Sequence, residues 1–268
     1  MLHKRIGQTP LEAIQEWKAM NPAYAAVPAS YAGRLDPMAS GLLLVLLGDE
    51  CKQPARYRGL DKEYEIEVLL DVGTDSGDVL GIAVGMPAQT KPGEASLRPF
   101  LRSEIGTHLR PYPSFSSKTV DGVPLFLHAL QGTLDSITIP EHAETIYRIR
   151  LESISSLSSA QLHEQVAAQL AVAPRSDEPS KVLGADFRIN EVRASWDEID
   201  AAPAREFALL RLRVTCGSGA YMRSLATRIG SALNTRALAL SIRRTRIGTY
   251  TRIGSFAFWT HQYCLNTD

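Results

Sequence analysis

Three stretches of the chain alternate apolar and polar residues with the two-residue period of a β-strand. They are Tyr64–Leu70, Ile146–Leu151 and Phe207–Cys216. In the first and the last, the apolar side chains share one face and the polar ones the other, which predicts half-buried strands. The run Leu42–Leu47 is apolar throughout and is closed by Gly48, so it predicts either a buried strand or a turn of buried helix.

Two other stretches carry the period of a helix. Leu11–Met20 follows Thr9, a candidate N-cap, with Pro10 at the first helical position and Glu12 completing a capping box. Met222–Leu233 spaces its apolar residues three and four positions apart, which predicts an amphipathic helix.

Turn-forming residues mark the remaining segments. Asp71–Gly81, with the sequence DVGTDSGDVLG, and Arg110–Pro124 predict loops. Within residues 155–206, a possible insertion, 155–173 predict a helix and 174–181 a linker. Strands are thus interleaved with few helices, which favours a mixed sheet over repeated βαβ units.

The composition suits a globular protein of one large domain or two modest ones, with 268 residues and 44% apolar content. The longest apolar run is far shorter than the roughly 20 residues of a membrane helix, and the N-terminal stretch lacks the apolar segment of a signal peptide. Cys51, Cys216 and Cys264 are widely spaced, and the six histidines show no ligand spacing. We therefore expect a reduced, cytoplasmic protein without a metal.

Charge is unevenly distributed although the formal net charge is zero. From Tyr221 to Arg252 there are seven arginines and no acidic residue, whereas residues 49–81 hold nine acids and four bases. A patch of one sign can bind an anion such as a nucleic-acid backbone. The alternative is a solvated face whose charge is compensated by acids close in space, and charge alone does not decide between the two.

Asp36 precedes the apolar run, in the stretch GRLDPMASGLLLVLLG. Pro37 biases Asp36 towards an extended backbone, Gly33 permits a sharp bend, and Gly41 leaves room for a close backbone approach. A carboxylate against an apolar wall must be paired with a cation or stay protonated, and either state suits a catalytic group. The other interpretation is a turn-forming aspartate before a buried strand, and the local pattern alone favours it.

The stretch around Asp36 resembles the catalytic motif of the pseudouridine synthases, in which a G-x-x-D segment carries the required carboxylate. Its continuation is most similar to the TruB-type tRNA pseudouridine-55 synthases, with their motif LDP-x-A-[ST]-G-x-L-x-x-x-x-G. Five further segments resemble motifs of that family in the same order, so the resemblance spans residues 4–248. They are KRIGQTP at 4–10, KEY at 62–64 with GTDSGDVLG at 73–81, YPSFSSKTVDGVPLF at 112–126, CGSGAYMRSLATRIGSAL at 216–233 and IRRTRIG at 242–248.

The resemblance implies an α+β pseudouridine-synthase fold, with a central mixed, mostly antiparallel sheet flanked by helices and loops. It also implies isomerisation of a flipped-out uridine in structured RNA, in the first instance the T-arm uridine at position 55 of tRNA. No group leaves in this reaction, so one nucleophile can suffice where a glycosidase uses two carboxylates. Asp36 would be that nucleophile, attacking the sugar or the base, with Arg223 as its ion-pair partner and Tyr64 against the base.

The resemblance assigns substrate binding to seven more residues, which are Tyr31, Tyr221, Ile242, Lys62, Lys118, Arg243 and Arg244. It implies no metal, no organic cofactor, a tRNA T-arm stem-loop as the partner and a monomer. The catalytic domain is expected over residues 1–250, followed by a short tail, 251–268, without a complete C-terminal RNA-binding domain. Without the motifs, core packing would explain Tyr64 and a helix-surface position would explain Arg223.

Three positions depart from the family pattern. Tyr31 stands where the family has histidine, Arg34 where it often has a small residue, and SSK at 116–118 changes the usual S-A-x-K spacing. Arg34 is closer to ribosomal-RNA branches of the superfamily, so an rRNA substrate is one alternative. An RNA-binding or RNA-folding protein with lost catalysis is another. An unrelated hydrolase using Asp36 would lack a second carboxylate or metal constellation.

Overall fold

A mixed β-sheet runs through the centre of the computed structural model, which describes residues 1–88, 91–174, 188–253 and 256–263. The strands are β1 (Leu2–Lys4), β2 (Ala29–Ala32), β3 (Ala39–Leu47), β4 (Asp61–Leu70), β5 (Val72–Thr74), β6 (Ala83–Gly85), β7 (Gly106–Pro111), β8 (Thr119–Val120), β9 (Val123–Pro124), β10 (Glu141–Ser158), β11 (Glu206–Cys216), β12 (Ala237–Ile253) and β13 (Phe256–Tyr263). The helices are α1 (Pro10–Met20), α2 (Ala55–Arg58), α3 (Glu94–Ser103), α4 (Leu125–Leu130), α5 (Ser159–Ala171), α6 (Ile189–Asp200) and α7 (Met222–Ala232).

Within the described residues the central sheet has nine strands, seven of them in the order β1–β3–β12–β4–β11–β10–β7, with β13 paired to β12 and β2 to β3. The pairing of β3 with β12 is parallel, and the other pairings in this sheet are antiparallel. Two short hairpins, β5–β6 and β8–β9, lie outside it. The predicted α+β class with a mixed, mostly antiparallel sheet is confirmed.

One face of the sheet forms the core. Tyr64, Ile66 and Val68 of β4 alternate onto this face and are at most 9% exposed, while the glutamates between them point to the other face. On the neighbouring strand β11, Val214 and Leu212 lie directly opposite Tyr64 and Ile66. The alternation of apolar and polar residues along the strands thus determines which face of the sheet is buried.

Helices cover the core face of the sheet. Leu225 and Ile229 of α7 are fully buried, and this helix packs against β12 and β4. Helices α5 and α6 add Leu162 and Trp196 to the same core. The segment 155–206 therefore contributes part of the helical layer. No helix of the described residues is both long and apolar enough to span a bilayer.

The predicted capping of α1 is present. The Thr9 side chain accepts a hydrogen bond from the Glu12 backbone N–H, and the Glu12 carboxylate accepts one from the Thr9 N–H. The open alternative for Leu42–Leu47 is also resolved, because the run lies in strand β3. Apolar and polar residues do not alternate in this strand, because most of its residues are buried on both faces of the sheet.

Several predicted boundaries are wrong. Residues 155–158 extend β10, and the helix begins only after Ser158, whose side chain caps it. The expected loop Arg110–Pro124 contains the end of β7 and the hairpin β8–β9, and helix α6 was not predicted. Part of the expected tail forms β13, whose aromatic and β-branched residues favour a strand. Most of the predicted linker, residues 175–181, lies outside the described residues.

Gly41 sets how closely β3 approaches β12. Its φ is +105°, and a Cβ at this position would lie 2.2 Å from the Arg244 carbonyl oxygen. We therefore expect Gly41→Ala to lower the free energy of unfolding by roughly 3 kcal/mol, as measured by urea denaturation. Gly59→Ala is the matched control, because Gly59 has a φ of −77° and open space around it. Wild-type stability for Gly41→Ala would contradict the close parallel pairing.

Candidate active site

Asp36 lies in the turn between β2 and β3, at the edge of the core. The Ala39 N–H donates to the Asp36 carbonyl at 3.0 Å, and the flanking Leu35 and Met38 are buried. The two apolar side chains anchor the turn, while the Asp36 side chain remains 37% exposed. The carboxylate is thus fixed in position and still accessible to a ligand.

The Arg223 guanidinium holds the Asp36 carboxylate. Its Nε donates to Asp36 Oδ2 at 2.8 Å, Nη1 donates to the Ser76 carbonyl at 2.7 Å, and Nη2 donates to the Phe115 carbonyl at 2.9 Å. The Arg223 side chain is only 5% exposed. One arginine at the start of α7 therefore joins the Asp36 turn to two loops that are distant in sequence, as the resemblance implied for the ion pair.

Asp78 is a second carboxylate at this site, and sequence reasoning missed it. Its Oδ2 lies 3.4 Å from Arg223 Nε, and its Oδ1 accepts from the Ser76 hydroxyl and the Leu80 N–H. Burial raises the pKa of Asp78, which Arg223 partly offsets. Burial alone would lower the pKa of Arg223, but Asp36 and Asp78 outweigh it and raise it. The guanidinium thus stays charged between two carboxylates.

Tyr64 and Ile242 come from adjacent strands beside this pair. Ile242 of β12 lies opposite Ile66, and both side chains are buried. Burial raises the pKa of the Tyr64 phenol, with smaller effects from Arg244 and Asp36. Tyr64 therefore lies in an apolar setting within electrostatic reach of Asp36, and it stays protonated at neutral pH.

Arg244 holds the backbone on either side of the Asp36 turn through hydrogen bonds to carbonyl groups. Its guanidinium donates to the carbonyls of Leu42 at 2.7 Å and Gly33 at 3.0 Å, and it is 1% exposed. Arg244 was expected to bind substrate RNA, but in this position it fixes the backbone that carries Asp36.

Two buried lysines flank the same turn. Lys4 Nζ donates to the Gln8 carbonyl at 2.7 Å and to the Pro37 carbonyl at 3.3 Å. Lys62 Nζ donates to the Leu60 carbonyl, and its side chain lies beside Gly33. Burial lowers the pKa of each lysine to about 8. Lys62 was also expected to bind RNA, yet only 5% of it is exposed.

The lowered pKa values of Lys4 and Lys62 predict that the free energy of unfolding rises between pH 8 and 9. Folded Lys4 and Lys62 lose protons around pH 8, whereas in the unfolded chain they keep them up to about 10.5. The unfolded state then binds more protons, so the free energy of unfolding increases with pH, by roughly 1–2 kcal/mol for the pair. Above pH 9 the Cys216 thiol opposes this rise, because burial raises its pKa to about 12 and the unfolded chain loses the thiol proton first.

Urea denaturation at pH 8.0, 8.5 and 9.0 measures this rise. Lys62→Met removes one of the two buried amines and should flatten the rise by about half. A free energy of unfolding that falls from pH 8 to 9 in the wild type would contradict the burial of both amines.

An aromatic cluster, which sequence reasoning did not identify as a whole, extends from Tyr221, which lies within electrostatic reach of Asp36 and Arg223. Tyr112 and His142 stack with ring centroids 4.2 Å apart, and Tyr221 meets His142 edge-on at 5.6 Å. Lys118 Nζ lies 5.3 Å from the centre of the Tyr112 ring. The cluster thus brings two of the predicted substrate-binding residues, Tyr221 and Lys118, to one surface.

The remaining predicted residues are more dispersed. Tyr31 lies on β2 and is half-buried, near the Asp36 turn in sequence. Arg243 points to the opposite face of the sheet, where its guanidinium is 3.5 Å from Glu65. Arg228, from the same basic segment, pairs with the buried carboxylates of Glu104 and Glu144. Acids close in space therefore compensate much of the arginine-rich stretch.

The arrangement can hold an ionised carboxylate against an apolar and aromatic wall. Within the described ranges, no three His, Cys, Asp or Glu side chains are grouped to bind a metal ion. Asp36 is the accessible acid of the pair, since the Asp78 side chain is only 7% exposed. This geometry suits nucleophilic attack by one carboxylate whose charge is fixed by a guanidinium.

The chain matches the model of the TruB family pseudouridylate synthase N-terminal domain over residues 23–170. That match covers more than half of the chain, which therefore belongs to the TruB family of pseudouridylate synthases.

Curated relatives agree with this assignment, and a solved structure shares the fold. The chain is 29% identical to the tRNA pseudouridine synthase B of Bordetella avium (strain 197N) over 252 residues, or 93% of this chain and 80% of that one. It is 25% identical to the tRNA pseudouridine synthase B of Blochmanniella floridana over 227 residues, or 85% and 68% of the two chains. The fold is similar to a chain in the crystal structure of a Cbf5–Nop10–Gar1 complex, with a TM-score of 0.53 and 18% identity, covering 92% of this chain. This chain spans 47% of that chain's length.

Proposed function

We propose that this TruB-family protein isomerises the T-arm uridine of tRNA, position 55, to pseudouridine, and that Asp36 is the nucleophile. The observation that carries the proposal is the Asp36–Arg223 pair at 2.8 Å, partly open to solvent. The relatives named tRNA pseudouridine synthase B support tRNA as the substrate. Both residues also lie in segments that resemble motifs of the family, Asp36 in GRLDPMASG and Arg223 in CGSGAYMRSLATRIGSAL.

The reaction balances with the residues of this chain. The N1–C1′ bond breaks, the base turns, C5 bonds to C1′, the hydrogen on C5 leaves as a proton, and N1 gains a proton. Asp36 attacks either the sugar or the base, and its carboxylate is released when the new bond forms. Arg223 provides a fixed positive charge beside the Asp36 carboxylate, because a guanidinium does not lose its proton in proteins.

A uridine inside folded RNA must leave its stack to reach Asp36. Stacking on an aromatic ring is worth roughly 1–3 kcal/mol per base, which offsets part of that cost. Tyr64 and Tyr221 support this step, because both lie near Asp36, and Ile242 adds apolar surface. The phosphates of the stem-loop would provide affinity, with Lys118 at the exposed rim as one contact.

A tritium-release assay tests the activity. A T-arm stem-loop carries a target uridine tritiated at C5. The protein alone, without added metal or cofactor, should release the tritium of each uridine that it converts. The same stem-loop with cytidine at the target position is the control for nonspecific exchange. Binding without release would instead support an RNA-binding protein that has lost catalysis.

An rRNA substrate is the second candidate, and one observation favours it. Arg34 is exposed two residues before Asp36, where it would contact the RNA. Mapping pseudouridines in tRNA and rRNA from cells lacking the protein separates the two. We expect loss of the tRNA T-arm site, whereas loss of an rRNA site alone would favour the alternative.

A further inference from the structure

A charged cavity lies on the far face of the sheet, away from Asp36. It has a volume of about 290 Å³. Its lining comes from strands β4, β10, β11 and β12. The lining residues are Glu63, Arg148, Arg150, Glu152, Arg213, Thr215 and Arg246.

The position of the cavity follows from the alternation of the strands. Glu63 lines the cavity, while the next residue, Tyr64, belongs to the core face. Thr215 likewise lines it, between the core residues Val214 and Cys216. The cavity and the Asp36 site therefore lie on opposite faces of the same end of the sheet, where the turn 217–220 leads from β11 to α7.

The acids of the cavity are already paired. Glu152 lies 2.7 Å from Arg213, and Glu63 lies 3.3 Å from Arg246 and 3.5 Å from Arg213. Arg213 also pairs with Glu65 at 2.6 Å. These contacts neutralise both carboxylates that line the cavity.

Arg148 and Arg150 are the two cavity arginines left over. Both are exposed, and among the described residues neither guanidinium has an ion pair or a side-chain hydrogen bond. They lie two positions apart on β10, opposite Thr215 and Arg213 of β11. The cavity therefore has two positive charges in excess, held next to a fixed network of ion pairs.

We propose that this cavity binds phosphate groups of the substrate RNA, from a segment outside the stem-loop that enters the Asp36 site. Guanidinium groups present paired donors that match phosphate oxygens, and the two free ones are positioned to use them. A structured RNA at the Asp36 site can continue around the sheet end at turn 217–220. A second contact on the same molecule raises its affinity through effective concentration. This proposal depends on the proposed RNA substrate.

The test compares two RNAs and a charge-neutralising variant. Arg148→Gln with Arg150→Gln should weaken binding of full-length tRNA roughly tenfold at physiological salt. The slope of log affinity against log salt should decrease by about one per lost phosphate contact. Binding and turnover of the isolated T-arm stem-loop should not change. The matched control, Arg102→Gln with Arg193→Gln, removes the same charge from exposed positions on α3 and α6 and should leave both RNAs unaffected.

Three outcomes would overturn the proposal: an equal loss for both RNAs, no loss for either, or the same loss in the control. If thermal melting shows that the glutamine variant is unfolded, the single variant Arg148→Ala replaces it. An unchanged affinity for tRNA together with an unchanged salt slope in Arg148→Ala would then count against the site. Because binding is measured directly, wild-type protein that binds tRNA without isomerising it would refute the proposed activity and leave this site standing.

Discussion

Replacing Asp36 with asparagine should reduce turnover by at least about 1,000-fold, because the amide keeps the size of the side chain but not its nucleophilic charge. The fold should persist, since Leu35 and Met38 anchor the turn independently of the carboxylate. Affinity for the stem-loop should change little, because in the proposed complex the uridine also contacts apolar and aromatic side chains. Single-turnover tritium release measures the rate.

The control for Asp36→Asn is Asp49→Asn, which removes an acid that is 90% exposed and paired only with Lys52 at 2.7 Å among the described residues. It should retain full turnover. Turnover of Asp36→Asn within about tenfold of the wild type would remove Asp36 from the chemistry and leave the site to another group.

Replacing Arg223 should affect both stability and turnover. Arg223→Met leaves the buried Asp78 carboxylate without its cation, and breaking a buried pair in this way costs about 3–5 kcal/mol. It also removes the partner of Asp36 and the links to Ser76 and Phe115, so turnover should fall below detection. Chemical denaturation and tritium release measure the two effects separately.

A double variant separates the two roles of Arg223. Arg223→Met with Asp78→Asn removes the unpaired charge, so it should recover part of the lost stability without recovering turnover. Arg223→Lys keeps a positive charge, but its compact ammonium lacks the planar guanidinium that reaches Asp36, Ser76 and Phe115 together. It should therefore be more stable than Arg223→Met and still slow. Full activity of Arg223→Lys would indicate that charge alone, without the geometry, is sufficient.

The sequence predicted the elements whose pattern is local. The alternation in Tyr64–Leu70 and Phe207–Cys216 gave two central strands, and Thr9 with Glu12 gave the start of α1. It left a strand and a helix turn open where burial on both faces removes the alternation, as in β3, and it missed β13, which pairs with the preceding strand β12. The state of β3 is set by its burial within the sheet rather than by local propensity.

Part of the candidate site was predictable because its motifs, like the strand alternation, are visible in short stretches of sequence. Motif resemblance identified Asp36 and Arg223, which the fold brings within 2.8 Å. It did not show that Arg244 is buried under the Asp36 turn, because a basic residue in a strand can face either side of a sheet. Asp78 was also missed, because the Asp and Gly residues of its loop are typical of a turn and do not show that one of the carboxylates is buried.

The central claim is that a uridine swings out of its RNA and meets the Asp36 carboxylate, held by Arg223 beside Tyr64. A crystal structure of the protein with a T-arm stem-loop carrying 5-fluorouridine at the target position tests it most directly. We expect the fluorinated nucleotide outside the RNA stack, with its sugar or base in contact with Asp36. A target nucleotide still stacked in the loop, or bound away from Asp36 in the complex, would contradict the account.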